Sequence, residues 1–195
     1  QTMAALRNGH VEALNEERFN GNGSLMRALP VALVCDTPDE ICKVSFLHSS
    51  VTHPHIRSKL CCALYSLVVH FTLNGWHLPM AITLATNHLN SWLVAPEDID
   101  ELNYIIDCAS NDPKGSGYVV DSLWSALYAV KAGYSYRDTI KMAILLGNDT
   151  DTTACIAGGL AAIIHGYDSI PEDWVTHLKG KDNIDQVLSL LNSSV

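Results

Sequence analysis

Asp149, Asp151 and Thr152 crowd two carboxylates and a hydroxyl into the segment Gly147 to Thr153, at the mouth of the small-residue run Ala154 to Ala162. Oxygen ligands so close together suit a hard divalent cation such as Mg²⁺, Mn²⁺ or Ca²⁺ better than a soft one. The plain alternative is an N-cap, since Asp and Thr at a helix start accept backbone N–H bonds. One cap needs one residue, however. Two acids at one helix start repel each other unless a cation or the positive helix end offsets their charge. The spacing therefore favours a metal site over capping alone.

Three other motifs contain chemically useful groups. Gly21-Asn22-Gly23-Ser24-Leu25-Met26-Arg27 is a tight turn feeding a helix whose apolar face would include Leu25, Leu29, Ala32 and Leu33. Such an entry can offer backbone N–H groups to a phosphate, although the spacing is neither P-loop nor Rossmann and a glycine-rich turn can be only a turn. In Thr52-His53-Pro54-His55 either histidine could contact a ligand, or one could cap the following helix, with Pro54 in its first turn, while the other is solvated. In Gly115-Ser116-Gly117-Tyr118-Val119-Val120-Asp121, Tyr118 offers a flat face and a hydroxyl to a sugar or base. Equally, Tyr118 could anchor its loop to the core and Asp121 could cap the next helix. No Ser-His-Asp or Cys-His arrangement stands out.

The elements that must position these residues read as helices. Ile56, Leu60, Leu64, Leu67, Val68 and Phe71 recur at helical spacing and mark a core helix with one buried face. Similar spacing spans 41–47, 80–93, 99–109, 123–130 and 140–146, and Met3, Leu6, Val11 and Leu14 suggest a further helix over 1–18. Period-two alternation is nearly absent, so the reading is an all-α single domain over 1–195 with eight to ten short helices. Caps are predicted at Thr37-Pro38-Asp39-Glu40, Pro96-Glu97-Asp98 and Pro171-Glu172-Asp173, while Asp98 and Asp100 form a solvated first turn.

Composition narrows the function class. With 48% hydrophobic and 17% charged residues the chain can build a core. A net charge of −9 with only 12 Lys and Arg argues against a nucleic-acid backbone as partner. Cys35, Cys42, Cys61, Cys62, Cys108 and Cys155 lack paired spacing and read as buried small hydrophobes. No signal peptide is seen, and apolar runs such as 61–71 look too short to span a bilayer, so a cytoplasmic location without membrane contact is expected.

Taken in order, GNGSLMR at Gly21 to Arg27, THP at Thr52 to Pro54, SGYVVDSLWSAL at Ser116 to Leu127 and LGNDTDTTACIAGGLAAIIHG at Leu146 to Gly166 resemble the later portion of the ADP-ribosylglycohydrolase family. The resemblance implies a multi-helix, all-α fold lacking the family's N-terminal helices. It also implies cleavage of the bond between ADP-ribose C1″ and an acceptor, assisted by two Mg²⁺ or Mn²⁺ ions. Asp149, Asp151 and Thr152 then match metal ligands, and Gly21, Asn22, Gly23 and Ser24 match the loop around the diphosphate. His53 matches a ligand-contacting histidine, and Gly117 with Tyr118 a loop beside ADP-ribose. The family's other metal half-site is a Thr-Asp-Asp segment, and this sequence contains none. Three roles follow as expectations: a hydrolase in its full-length form, an ADP-ribose-binding descendant with impaired catalysis, or a structural protein. A second copy or another partner is expected to cover the surface left by missing helices, and a lone Mg²⁺ on three protein oxygens would be loose.

Overall fold

Ile56 to Leu73 forms one uninterrupted helix in the computed structural model, which describes residues 19–192. In order the α-helices are α1 (Val31–Val34), α2 (Pro38–Ser50), α3 (Ile56–Leu73), α4 (Leu78–Trp92), α5 (Pro96–Asp107), α6 (Val119–Ala132), α7 (Tyr136–Leu145), α8 (Thr150–His165), α9 (Glu172–Thr176) and α10 (Lys181–Asn192). Among the described residues there is no strand, only an isolated antiparallel bridge between Gly21 and Tyr118. The all-α expectation holds. The helix expected over 1–18 lies outside the described residues.

Helix α3 is the axis of the core. Its consecutive residues Leu60, Cys61, Cys62, Ala63, Leu64 and Tyr65 are all buried, so it is enclosed around most of its circumference and not along the single face read from periodicity. A helix apolar all round belongs inside a protein, and α2, α4, α5, α6 and α8 all pack on it. It is also long and apolar enough to cross a membrane, contrary to the sequence expectation, yet 67% of it is buried within the protein. The Tyr65 hydroxyl satisfies itself by donating to the Ile156 carbonyl at 2.8 Å, tying α3 to α8. Leaving that buried hydroxyl unpaired would cost about 1–3 kcal/mol.

Small residues bring α8 close to its neighbours. A Cβ built on Gly159 would fall 2.3 Å from Leu29 Cδ1, and one on Gly158 would fall 2.9 Å from Ile140 Cδ1. The Ala-Gly-Gly run is thus explained by packing, with Leu29 seated on one side and α7 on the other.

Three local expectations change. The helix expected to follow the glycine-rich turn is instead a 3-10 turn, Leu25–Arg27, and the single turn of α1, with Pro30 between them. Proline has no N–H to continue the ladder; Leu33 consequently points outward while Leu25 and Ala32 stay buried. Pro54 stands before α3, not in its first turn: His55 is the cap, its Nδ1 accepting from Arg57 N–H at 3.2 Å. Cys155 is exposed and Cys108 half-buried, whereas the other four thiols are buried as expected. The caps at 37–40 fare better, with Thr37 Oγ1 accepting from Glu40 N–H and Glu40 reaching back to Asp36 N–H.

Candidate functional site

The N-terminal ends of α3, α6 and α8 meet around the segment 20–24. Val119 N–H donates to the Asn20 carbonyl at 3.0 Å and Asn22 N–H to the Gly117 carbonyl at 3.1 Å, a two-bond pairing centred on Gly21 and Tyr118. Ser58 Oγ, in the first turn of α3, donates to Asn20 Oδ1. Helix N-termini leave backbone N–H groups unpaired and carry partial positive charge. Where such ends are left open they suit anionic groups.

Asn22 holds the corner together. Although buried, its Nδ2 donates to Ser122 Oγ at 2.8 Å and to Asp149 Oδ2 at 2.7 Å, linking the glycine-rich turn to α6 and to the start of α8. Ser122 Oγ in turn donates a hydrogen bond to the Ser116 carbonyl. Asp149 occupies the N-cap position of α8, but its short hydrogen bond reaches across the chain to Asn22. That bond is the first cause holding the Asp149 carboxyl below its usual pKa, against partial burial.

The three predicted metal ligands do sit together at the α8 N-terminus: Asp149 half-buried, Asp151 exposed and Thr152 buried. Their oxygens are chemically apt for a hard cation and amount to part of a shell. Among the described residues no group of three or more His, Cys, Asp or Glu side chains converges to complete one. The turn ahead of α8 is strained, with Gly147 at φ 77° and Asn148 at φ 56°, and Asn148 Nδ2 steadies it by donating to the Lys114 carbonyl. Asp149 N–H donates to the Gly115 carbonyl at 2.8 Å, so the start of α8 and the 115–118 loop are one unit.

His53 faces the glycine-rich turn. A Cβ on Gly23 would stand 3.0 Å from His53 Cε1, so that glycine makes room for the ring, while one on Gly21 would make ordinary contact with Nε2 at 3.5 Å. Thr52 Oγ1 accepts from Arg27 at 2.7 Å and lies 2.8 Å from His53 Nδ1. In the tautomer where Thr52 donates to Nδ1, Nε2–H is the donor presented to the corner. Burial, then the Arg27 guanidinium, lowers the His53 pKa and favours the neutral ring.

Ser24 departs from the expected pattern. Its side chain is fully buried and accepts from Ser49 Oγ and Cys62 Sγ, so that side chain braces the turn from inside. Gly117 is exposed and Tyr118 half-buried beside it. Asp121 does not cap α6: its carboxylate accepts from the N–H groups of Lys114 and Ser116, drawing the loop onto the helix. An open cleft of about 480 Å³ lies on the α5 side of this loop, with Tyr104, Lys114, Tyr118 and Trp124 in its walls.

Sequence reasoning missed Asn22 as a latch and missed Arg57 altogether. Arg57 is buried in the first turn of α3, pairs with Glu101 of α5, donates to Tyr118 Oη at 3.0 Å and lies 4.5 Å from the Tyr104 ring centre. A lone arginine opening an apolar helix was the available signal. Buried charges are rare unless paired.

Comparison with known proteins identifies relatives of the chain. The ADP-ribosylglycohydrolase family model matches residues 1–194. The chain is 31% identical to the ADP-ribosylarginine hydrolase Tri1 of Pseudomonas putida over 168 residues, covering 86% of this chain and 44% of that protein. It is 26% identical to the ADP-ribosyl-dinitrogen reductase glycohydrolase of Rhodospirillum rubrum, covering 89% of this chain and 55% of that one. A solved ADP-ribosylglycohydrolase-related protein complex shares the fold with a TM-score of 0.71 and 24% identity, over 88% of this chain and 59% of the other. The chain spans about half the length of the curated relatives it matches.

Proposed function

The chain belongs to the ADP-ribosylglycohydrolase family, and from that premise we propose that it carries the ligand loops and one metal half-site of a hydrolase that releases ADP-ribose from an acceptor. The observation that carries this reading is the Asn22 latch. It joins the glycine-rich turn, the α6 N-terminus and Asp149 in one rigid corner. In that corner the converging helix ends would bind the diphosphate, His53 would donate to it or to the ribose, and Tyr118 would stand beside the sugar. Asp149, Asp151 and Thr152 would hold a Mg²⁺ or Mn²⁺ ion, which when bound supplies Lewis acidity to ligand oxygens. Asn22 keeps Asp149 ionised and aimed.

Two bacterial relatives are named ADP-ribosylarginine hydrolases, which makes ADP-ribosyl-arginine the first substrate to test. With Mg²⁺, the protein is expected to release free ADP-ribose from an ADP-ribosyl-arginine peptide, and Asp151→Asn to abolish release. Undiminished release by that variant, detected by chromatography, removes the metal half-site from the reaction. A second reading, an ADP-ribose-binding protein without turnover, draws on the incomplete acidic cluster among the described residues. It expects calorimetric heat with ADP-ribose that survives chelator and no release from the peptide; turnover, or silence at millimolar ligand, rejects it.

A further inference from the structure

Tyr118 Oη has two protein neighbours of unequal quality. Arg57 Nη1 donates to it at 3.0 Å, and Tyr104 Oη lies 3.4 Å away, at the far edge of hydrogen-bond range. The direction of the first bond is fixed, because a guanidinium has donors and no acceptor. The phenol oxygen therefore spends a lone pair on Arg57 and keeps its proton for something else. Tyr104 is a poor recipient at that distance. Both tyrosines line the 480 Å³ cleft, so the proton has an open side to turn towards.

Arg57 is itself immobilised. Its Nε pairs with Glu101 while its Cζ lies 4.5 Å from the Tyr104 ring centre and 6.0 Å from that of Tyr118. Glu101 and Tyr104 both come from α5, Tyr118 is the N-cap of α6, and Arg57 opens α3. A planar fork can meet a carboxylate and a phenol at once, which a lysine ammonium on a flexible stem does less well.

We infer that Arg57 is a positioning residue for Tyr118: by occupying the phenol oxygen from the protein side it turns Tyr118 into a hydrogen-bond donor towards an oxygen of the ligand, a phosphate or ribose oxygen of ADP-ribose. The inference rests on the ADP-ribose reading of this corner. It also separates two tasks that the sequence leaves merged in Tyr118, the flat face and the hydroxyl, and gives the polarity of the second to a residue outside every motif. Burial pushes the Tyr118 phenol well above its ordinary pKa, so it remains a protonated donor at any physiological pH.

The test is a double-mutant cycle read by ADP-ribose calorimetry. Tyr118→Phe keeps the ring and removes the hydroxyl; it is expected to weaken ADP-ribose binding about five- to ten-fold, the scale of one hydrogen bond. Arg57→Met alone would strand the Glu101 charge, so it is paired with Glu101→Gln, and thermal melting verifies that this background folds. The paired variant is expected to weaken binding to a similar extent. Tyr118→Phe made in that background should then cost less than two-fold, because the hydroxyl has already lost its orientation. A bystander structural role for Arg57 would leave the hydroxyl's contribution intact, so an equal Tyr118→Phe loss in both backgrounds overturns the inference. If the paired variant fails to melt cooperatively, the wild-type background decides: no loss from Tyr118→Phe overturns the inference and a five-fold loss supports it. Absence of ADP-ribose heat from the wild-type protein removes the proposed function and this inference with it, an outcome distinct from heat with equal losses.

Discussion

His53 is a residue whose surroundings make a measurable demand on pH. Folding lowers its pKa, through burial and then the nearby Arg27 guanidinium. In the unfolded chain the ring takes up a proton near its ordinary pKa of about 6.5, while the folded ring resists until the pH is lower. Between those two values the unfolded state binds more protons, so this contribution is fully present above about 6.5 and is lost as the pH falls towards the folded value. Urea midpoints of the wild type are expected to drop from pH 7.5 to pH 5.5 more steeply than those of His53→Gln; parallel slopes would show that the shift has no thermodynamic weight. The identities at this corner were largely legible in the sequence: glycines, histidine, tyrosine and paired acids stood out by type and spacing. Their partnerships were not. Asn22 meets Ser122 and Asp149 from 100 and 127 positions away along the chain, and Arg57 meets Tyr118 across 61. Such contacts leave no local period to read, and Ser24, placed in a ligand loop by its motif, is turned inward by the same tertiary packing.

At the scale of elements, hydrophobic periodicity located the long helices because each must bury apolar side chains on its neighbours. It failed at 25–34, where Leu25, Leu29, Ala32 and Leu33 keep a helical rhythm across Pro30, and the missing N–H breaks the element in two. It also understated α3, since a helix enclosed on most sides shows no clear polar face. A glycine can also be required by space alone. Gly133, the C-cap of α6, has an ordinary φ of −80°, so its backbone needs no glycine. A Cβ there would stand 2.6 Å from Thr139 N and 2.7 Å from Thr139 Cα, in backbone that cannot swing aside. Gly133→Ala is therefore expected to destabilise the protein by about 1–3 kcal/mol through overpacking between α6 and α7. A denaturation midpoint unchanged from wild type would show that the α6–α7 connection yields freely.

For the whole molecule, the corner built at the N-termini of α3, α6 and α8 is coupled to the core because α8 packs on α7, α6 and α3. A cation held by Asp149, Asp151 and Thr152 would then stabilise the entire fold and not only its own turn. Binding to the native state alone adds RT ln(1 + [L]/Kd), about 1.4 kcal/mol when the ion stands at ten times its Kd. With few protein oxygens and much retained water the binding should be loose, so millimolar Mn²⁺ is the appropriate probe, and Mn²⁺ tolerates such shells better than Mg²⁺, which demands a near-ideal octahedron. The wild-type melting temperature is expected to rise with Mn²⁺ between one and twenty millimolar, roughly the range in which so loose a site would fill. Asp151 is exposed, so Asp151→Asn should melt with the wild type in chelator and lose the Mn²⁺ response. A Mn²⁺-dependent rise of equal size in both proteins would place the ion elsewhere on a surface whose net charge is −9, and would return the acids of α8 to a purely structural role at the helix start.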